Sequence, residues 1–150
     1  MEYRRKMLFL HKDGKVKTVL DKNIQAKRMA AHNELGKWGE QVAADYLQGE
    51  GYRIVERDWR SGHRDIDIVA MDCDELVVVE VKTRRANSFT APEQAVDRKK
   101  MKSLATAARA FVKRRRIGLP LRFDIVAVTE TAGGQPEINH IKSAFIPLPY

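Results

Sequence analysis

Arg64–Thr83 reads RDIDIVAMDCDELVVVEVKT, and the fold depends on how this stretch divides. Two strand-like runs, Arg64 to Met71 (RDIDIVAM) and Leu76 to Thr83 (LVVVEVKT), flank Asp72-Cys73-Asp74-Glu75, which is the pattern of a β-hairpin. Side chains alternate faces along a strand, so Val77, Val79 and Val81 share one face while Glu80 and Lys82 share the other. On the preceding run Asp65 and Asp67 share a face opposite Ile66, Ile68 and Ala70. With Cys73 and Asp74 as the turn residues, Asp67 lies opposite Glu80 and Asp65 opposite Lys82. A slip of one residue would send Asp67 and Glu80 to opposite faces, so the expectation depends on the turn.

Directly opposed residues of an antiparallel pair sit about 4.5–5.5 Å apart, a distance at which two carboxylates repel. A divalent cation between them removes the repulsion, and a hard ion such as Mg²⁺ is often held by one or two carboxylates plus waters. Lys82 then adds an ammonium that can stabilise charge developing on a scissile phosphate, a set suited to phosphodiester hydrolysis. Taken alone, a Glu-x-Lys pair on a strand is more often a solvated face with a weak ion pair.

Outward from the hairpin, Leu35, Trp38, Val42 and Tyr46 form one stripe of a helix expected from Glu34 to Gln48. Arg53 to Arg60 (RIVERDWR) reads as a strand with imperfect alternation, closed by Ser61-Gly62. Thr90-Ala91-Pro92-Glu93 has the form of a capping box, and the helix it opens continues through Met101, Leu104, Ala108 and Phe111 to end near Ile117-Gly118. Arg122 to Thr129 (RFDIVAVT) is a further buried strand, and an edge strand is expected within Glu137 to Ile146. Residues 1–32 are charged and poor in large apolar side chains, which suggests a basic N-terminal extension of uncertain order ahead of a domain over 33–150.

At 150 residues and 43% hydrophobic content the chain can build one core, and its 28 Lys and Arg against 20 Asp and Glu give a formal charge of +8. Such an excess favours a polyanionic partner, nucleic acid first and an anionic membrane surface second. No apolar run approaches the roughly 20 residues needed to span a bilayer, and MEYRRKMLFLHKDGK lacks the core of a signal peptide. Cys73 is the only cysteine, which excludes an intrachain disulfide and a Cys-based zinc site and fits a cytoplasmic setting. His11, His32, His63 and His140 are too scattered for a zinc site. No glycine-rich phosphate loop is present. Trp38 and Trp59 read as core.

Asp67 followed by Glu80-Val81-Lys82 on the next strand resembles the PD-(D/E)XK nuclease superfamily, whose core is αβββαβ. More specifically, LGKWGEQVAADYL, ERDWRSGHRDIDIVA, LVVVEVKTRR and PEQAVDRKK resemble, in sequence and order, the YraN-like bacterial family of uncharacterised, predicted endonucleases. The likeness covers roughly residues 33–130. It implies an α/β, restriction-endonuclease-like fold with a central mixed sheet flanked by helices. It also implies that Asp67 and Glu80 are ligands of Mg²⁺ or Mn²⁺ with the Val81 carbonyl as a third, that Lys82 is the catalytic lysine, and that Glu40 is an acidic residue reaching the catalytic site. Glu40 is equally a first-turn glutamate favoured by the helix dipole. Lys100 matches a family lysine and is expected either on phosphate or in solvent, while Arg84 and Arg85 are placed to hold a backbone phosphate. Gln94 stands where the family usually has Glu, and Arg64-Asp65 replace its Gly-Glu, which alters the surroundings of Asp67.

The expected function is a metal-dependent endonuclease acting on nucleic acid, DNA before RNA. The alternative is a nucleic-acid-binding module that keeps the nuclease fold with little or no chemistry and works with a partner in DNA repair or processing. A third reading is a membrane-surface or protein-interaction domain. Lys113 to Arg116 serve the helix dipole or contact phosphate, two roles the sequence does not separate.

Overall fold

The computed structural model describes residues 8–10, 16–86 and 96–146, with side chains over 20–86 and 96–146. The chain divides into two compact units, Met1–Leu35 and Gly36–Tyr150. In the first, the short strands β1 (Leu8–Leu10) and β2 (Val16–Thr18) pair antiparallel. Helix α1 (Val19–Gly49) follows directly, starting at Val19 rather than at the expected Glu34. Its early residues, VLDKNIQAKRMAAHN, have no apolar stripe, but Leu, Gln, Ala, Lys, Arg and Met are good helix formers. Leu20, Ile24 and Met29 stand exposed there.

The second unit is built on a five-stranded sheet of β3 (Arg53–Ser61), β4 (Arg64–Asp72), β5 (Glu75–Arg85), β6 (Leu121–Glu130) and β7 (Pro136–Ile141), in that spatial order. All neighbours are antiparallel except β5 and β6. A parallel pair cannot be closed by a tight turn and needs a crossover, which here contains helix α2 (Arg98–Arg115). The later part of α1 buries Ala43, Ala44 and Leu47 against Val77, Val79 and Val81 of β5, while α2 buries Leu104, Ala108 and Phe111 with Leu76 and Val78. Both faces of β5 are therefore covered, which is why its sequence is an unbroken apolar run up to Glu80. The result is the expected α/β, restriction-endonuclease-like arrangement of a mixed sheet flanked by helices, with β7 as a short outer strand.

Two details bring side chains to the site. A Cβ on Gly39 would collide with the Thr83 side chain, so glycine lets α1 approach β5 here, next to Glu40. At the other helix, Asp97 accepts a hydrogen bond from the Lys100 backbone N–H at 2.8 Å and caps α2. The expected capping box at Thr90–Glu93 lies outside the described residues, as does Gln94. The helix through Met101 and Phe111 starts at Arg98. It ends where Arg116 turns left-handed, with φ 55° and ψ 43°.

Candidate active site

The β4–β5 hairpin has the turn and register that its sequence implies. Asp72 pairs with Glu75 around a Cys73-Asp74 turn, with Cys73 at φ 53°, and the ladder continues to Ile68 opposite Val79. There it stops. Asp67 and Glu80 form no ladder pair; the Asp67 carboxylate reaches into the gap and accepts the Val81 backbone N–H at 2.8 Å. A residue's N–H and C=O point to the same edge of a strand, so the Val81 carbonyl is directed into the same gap.

The regular alternation expected along β4 is not what the strand does. Ile66 joins the core on the α2 side while Ile68 and Ala70 join the core on the α1 side. The break falls at Asp67, opposite Asp58, which adopts φ 50°. The pairing of β3 with β4 skips both residues, passing from Arg57 opposite Ile68 to Trp59 opposite Ile66. This paired irregularity is what frees the Asp67 side chain to turn toward β5 instead of lying on a sheet face.

Glu80 is only 3% exposed, yet it is a carboxylate. Lys82 Nζ lies 2.8 Å from its Oε1 and Lys100 Nζ 3.2 Å from its Oε2, and Lys100 also reaches Asp65 at 3.5 Å. The Lys100 contact lacks hydrogen-bond geometry, leaving Glu80 Oε2 buried with no hydrogen-bond partner. Burial, and then the charge of Glu80, push the Asp67 carboxyl up to about 7; the Val81 N–H and Lys100 oppose the rise and Glu40 adds to it. Glu40 is itself raised, by partial burial and by the charge of Asp58 and a hydrogen bond with it. Burial works against the charge of Lys100, but Glu80 and Asp65 raise its pKa.

These acidic groups therefore crowd into one region where ionising all of them is unfavourable. Among the described residues, no three His, Cys, Asp or Glu side chains form a metal-holding group. Asp67, Glu80 and the Val81 carbonyl are all oxygen donors, the chemistry that suits a hard cation that keeps several waters. Glu80 Oε2 is buried without a hydrogen-bond partner and meets the Lys100 ammonium at 3.2 Å, so a cation there would add a second counter-charge.

The remaining expected residues separate. Arg84 shares the face of Glu80 and Lys82 by alternation and is half-buried. Arg85 points to the other face, exposed, with its Nε 3.7 Å from Glu130. The pairing of Asp65 with Lys82 does not form, because the ladder has ended and Asp65 meets Lys100 instead. Trp59 is core, edge-on to Phe111 with ring centroids 5.3 Å apart. Trp38 is partly buried against the α1-side core.

The model of uncharacterised protein family UPF0102 matches residues 39–128. The chain belongs to this family. A relative from Bacteroides thetaiotaomicron is 51% identical over 119 residues, covering 79% of this chain and 98% of the relative. One from Porphyromonas gingivalis is 44% identical, covering 78% and 87%, and one from Arthrobacter is 42% identical, covering 76% and 98%. All three are named simply as UPF0102 proteins. UPF0102, the YraN family, is of the PD-(D/E)XK type, and its matched span includes Glu40, Asp67, Glu80, Lys82 and Lys100.

Two features escaped the sequence. Asp58 sits where RIVERDWR fails to alternate, and that failure was its only signal. The second is a polar network on the α1 face. Arg122 donates two hydrogen bonds to Asp124, from Nε at 2.9 Å and Nη2 at 3.0 Å, and further ones to Glu75 and the Tyr52 hydroxyl. Asp124 is completed by His140 Nε2 at 2.9 Å and the Ser143 backbone N–H at 3.0 Å. Burial would raise the Asp124 pKa, but the bonds from His140, Arg122 and Ser143 hold it below the usual value.

Proposed function

We propose that the chain is a Mg²⁺- or Mn²⁺-dependent nuclease that hydrolyses phosphodiester bonds of nucleic acid, DNA before RNA. The observation that carries the reading is the Asp67–Glu80 pair: a half-buried acid and a buried one whose Oε2 has no hydrogen-bond partner, beside a lysine ammonium 2.8 Å from Glu80. Asp67, Glu80 and the Val81 carbonyl would hold the cation. When bound, such an ion neutralises phosphate charge and makes a coordinated water acidic enough to attack.

The chain's own groups do the rest. Val81 N–H fixes the Asp67 carboxylate by its bond to Oδ2. Lys82, half-buried on the Glu80 face, keeps its ammonium within reach of a phosphate oxygen and stabilises the charge that builds there. Glu40, whose charge adds to the rise of Asp67 and which shares a hydrogen bond with Asp58, would take a proton from an attacking water. Arg84 and Lys100 supply further positive charge for the phosphate backbone.

A second reading has its own observation. Lys82 and Lys100 together already neutralise Glu80, an arrangement that also suits a module that binds nucleic acid without cutting it. Both are tested by a cleavage panel with Mg²⁺ and Mn²⁺ on single-stranded, double-stranded, flapped and branched DNA and on RNA. The nuclease reading expects metal-dependent cleavage that falls at least a hundredfold in each of Asp67→Ala, Glu80→Ala and Lys82→Ala, the scale of losing an electrostatic catalytic group. Activity that survives all three changes rejects the site. Binding without cleavage on every substrate favours the second reading.

A further inference from the structure

The β3–β4 hairpin reaches past the acidic pair. Strand β4 leaves β5 after Ile68 opposite Val79, yet it stays with β3 as far as Arg64 opposite Ser61. Trp59 and Ile66, paired across the hairpin and both buried, root this arm in the core. Beyond them Arg60, Gly62, His63 and Arg64 are exposed, and Gly62 opens the two-residue turn at φ 61°, the position that a type II′ turn gives to glycine. At about 3.3 Å per residue, Arg64 stands about 10 Å along the strand from Asp67.

The polar side chains of this tip are not engaged by the fold. Lys82 and Lys100 pair with Glu80, and Arg57 bonds Gln41. Among the described residues, by contrast, no ion pair or hydrogen bond holds the Arg60, His63 or Arg64 side chain. Asp65, opposite Arg60 on the ladder, meets Lys100 instead. Residues 60–64, RSGHR, include no acid to balance the arginines and no apolar side chain to enter a membrane surface. Paired residues of two antiparallel strands share a face and successive pairs alternate, so Arg60 and Arg64, in neighbouring pairs, leave the hairpin on opposite faces.

We infer that this tip enters the major groove of a duplex beside the scissile phosphate, with Arg60 and Arg64 each facing one backbone and His63 toward the base edges. The inference rests on the proposed action on nucleic acid and adds the form of the substrate, double-stranded next to the cut. The dimensions agree. A β layer with its side chains is about 10 Å thick, and the major groove is about 12 Å wide and about 8.5 Å deep. With the scissile phosphate at Asp67 and Glu80, an arm that reaches about 10 Å past it comes to the floor of the groove. A single strand offers no second backbone to the opposite face of the hairpin.

The test is anisotropy of a labelled DNA duplex, and of one of its strands alone, with the full chain in EDTA over a salt series. Arg60→Gln/Arg64→Gln is expected to bind the duplex about tenfold more weakly, with a slope of log affinity against log salt shallower by about 2, while single-strand affinity falls by less than about threefold. Neither arginine has a partner in the fold, so this variant should melt with wild type. Arg60→Lys/Arg64→Lys keeps both charges and is expected to keep the wild-type slope. Lys102→Gln/Lys113→Gln removes the same charge from exposed sites on α2 and is expected to leave duplex affinity within about threefold. A wild-type duplex slope in the first variant, an equal loss in the α2 variant or an equal loss on the single strand would overturn the groove contact and leave the cleavage site standing. The expected pattern in a protein that cleaves no substrate would uphold the tip and favour the second reading of its function. A wild-type protein that binds neither form of DNA would overturn the tip and the nucleic-acid reading together.

Discussion

Two aspartates show how neighbours decide what a buried carboxyl does. Asp124 is enclosed by donors, and those donors keep it ionised. Asp67 has one backbone donor and an acidic neighbour, and its carboxyl is pushed up to about 7. The first is a structural anchor, the second the acid that the proposed cation would serve. For Asp124 the sign of the linkage is definite. A depressed carboxyl pKa contributes stability above its ordinary value of 3.8, and that contribution is lost as pH falls through the lower folded value. Arg122→Met leaves the Asp124 charge buried without its bidentate partner, and is expected to cost about 3–5 kcal/mol near neutral pH. Urea unfolding of both proteins across pH should show the gap narrowing toward acid pH, as Asp124 takes up a proton. A gap that does not change with pH would mean the loss is one of packing.

At the scale of elements, the approach of α1 to β5 depends on Gly39. Gly39→Ala places a methyl against Thr83 and is expected to cost about 1–3 kcal/mol, read as a lower Tm. Pairing it with Thr83→Ala should recover part of the loss, since the clash is with that side chain. The sheet was legible because β4 and β5 are short apolar runs flanking a two-residue turn, and turn length sets register. Alternation also assigned Val77 and Val79 correctly. It failed at Asp67 because the break in β4 is compensated by Asp58 on another strand, and no local pattern in either strand records the other. The same holds for Arg122 and Tyr52, hydrogen-bonded but 70 residues apart. The start of α1 was missed because an apolar stripe was the signal sought, and its first residues are helical by propensity alone.

Across the whole molecule, two elements meet at the acidic pair: β5 carries Glu80 and Lys82, and α2, which begins at Arg98, brings Lys100 beside them. UPF0102 membership supplies the fold type, and the proposed function depends on whether Asp67 and Glu80 hold an ion. Among the described residues, no helix is long and apolar enough to cross a membrane. The most direct measurement is a calorimetric titration of Mn²⁺ into the full chain at neutral pH, without nucleic acid, for wild type, Asp67→Asn and Glu80→Gln. Asn can still accept the Val81 N–H, so the first change removes charge while keeping that bond. Saturable binding by wild type that weakens at least tenfold in each variant is the predicted result. Indistinguishable isotherms for the three proteins, or no binding by wild type, would contradict it.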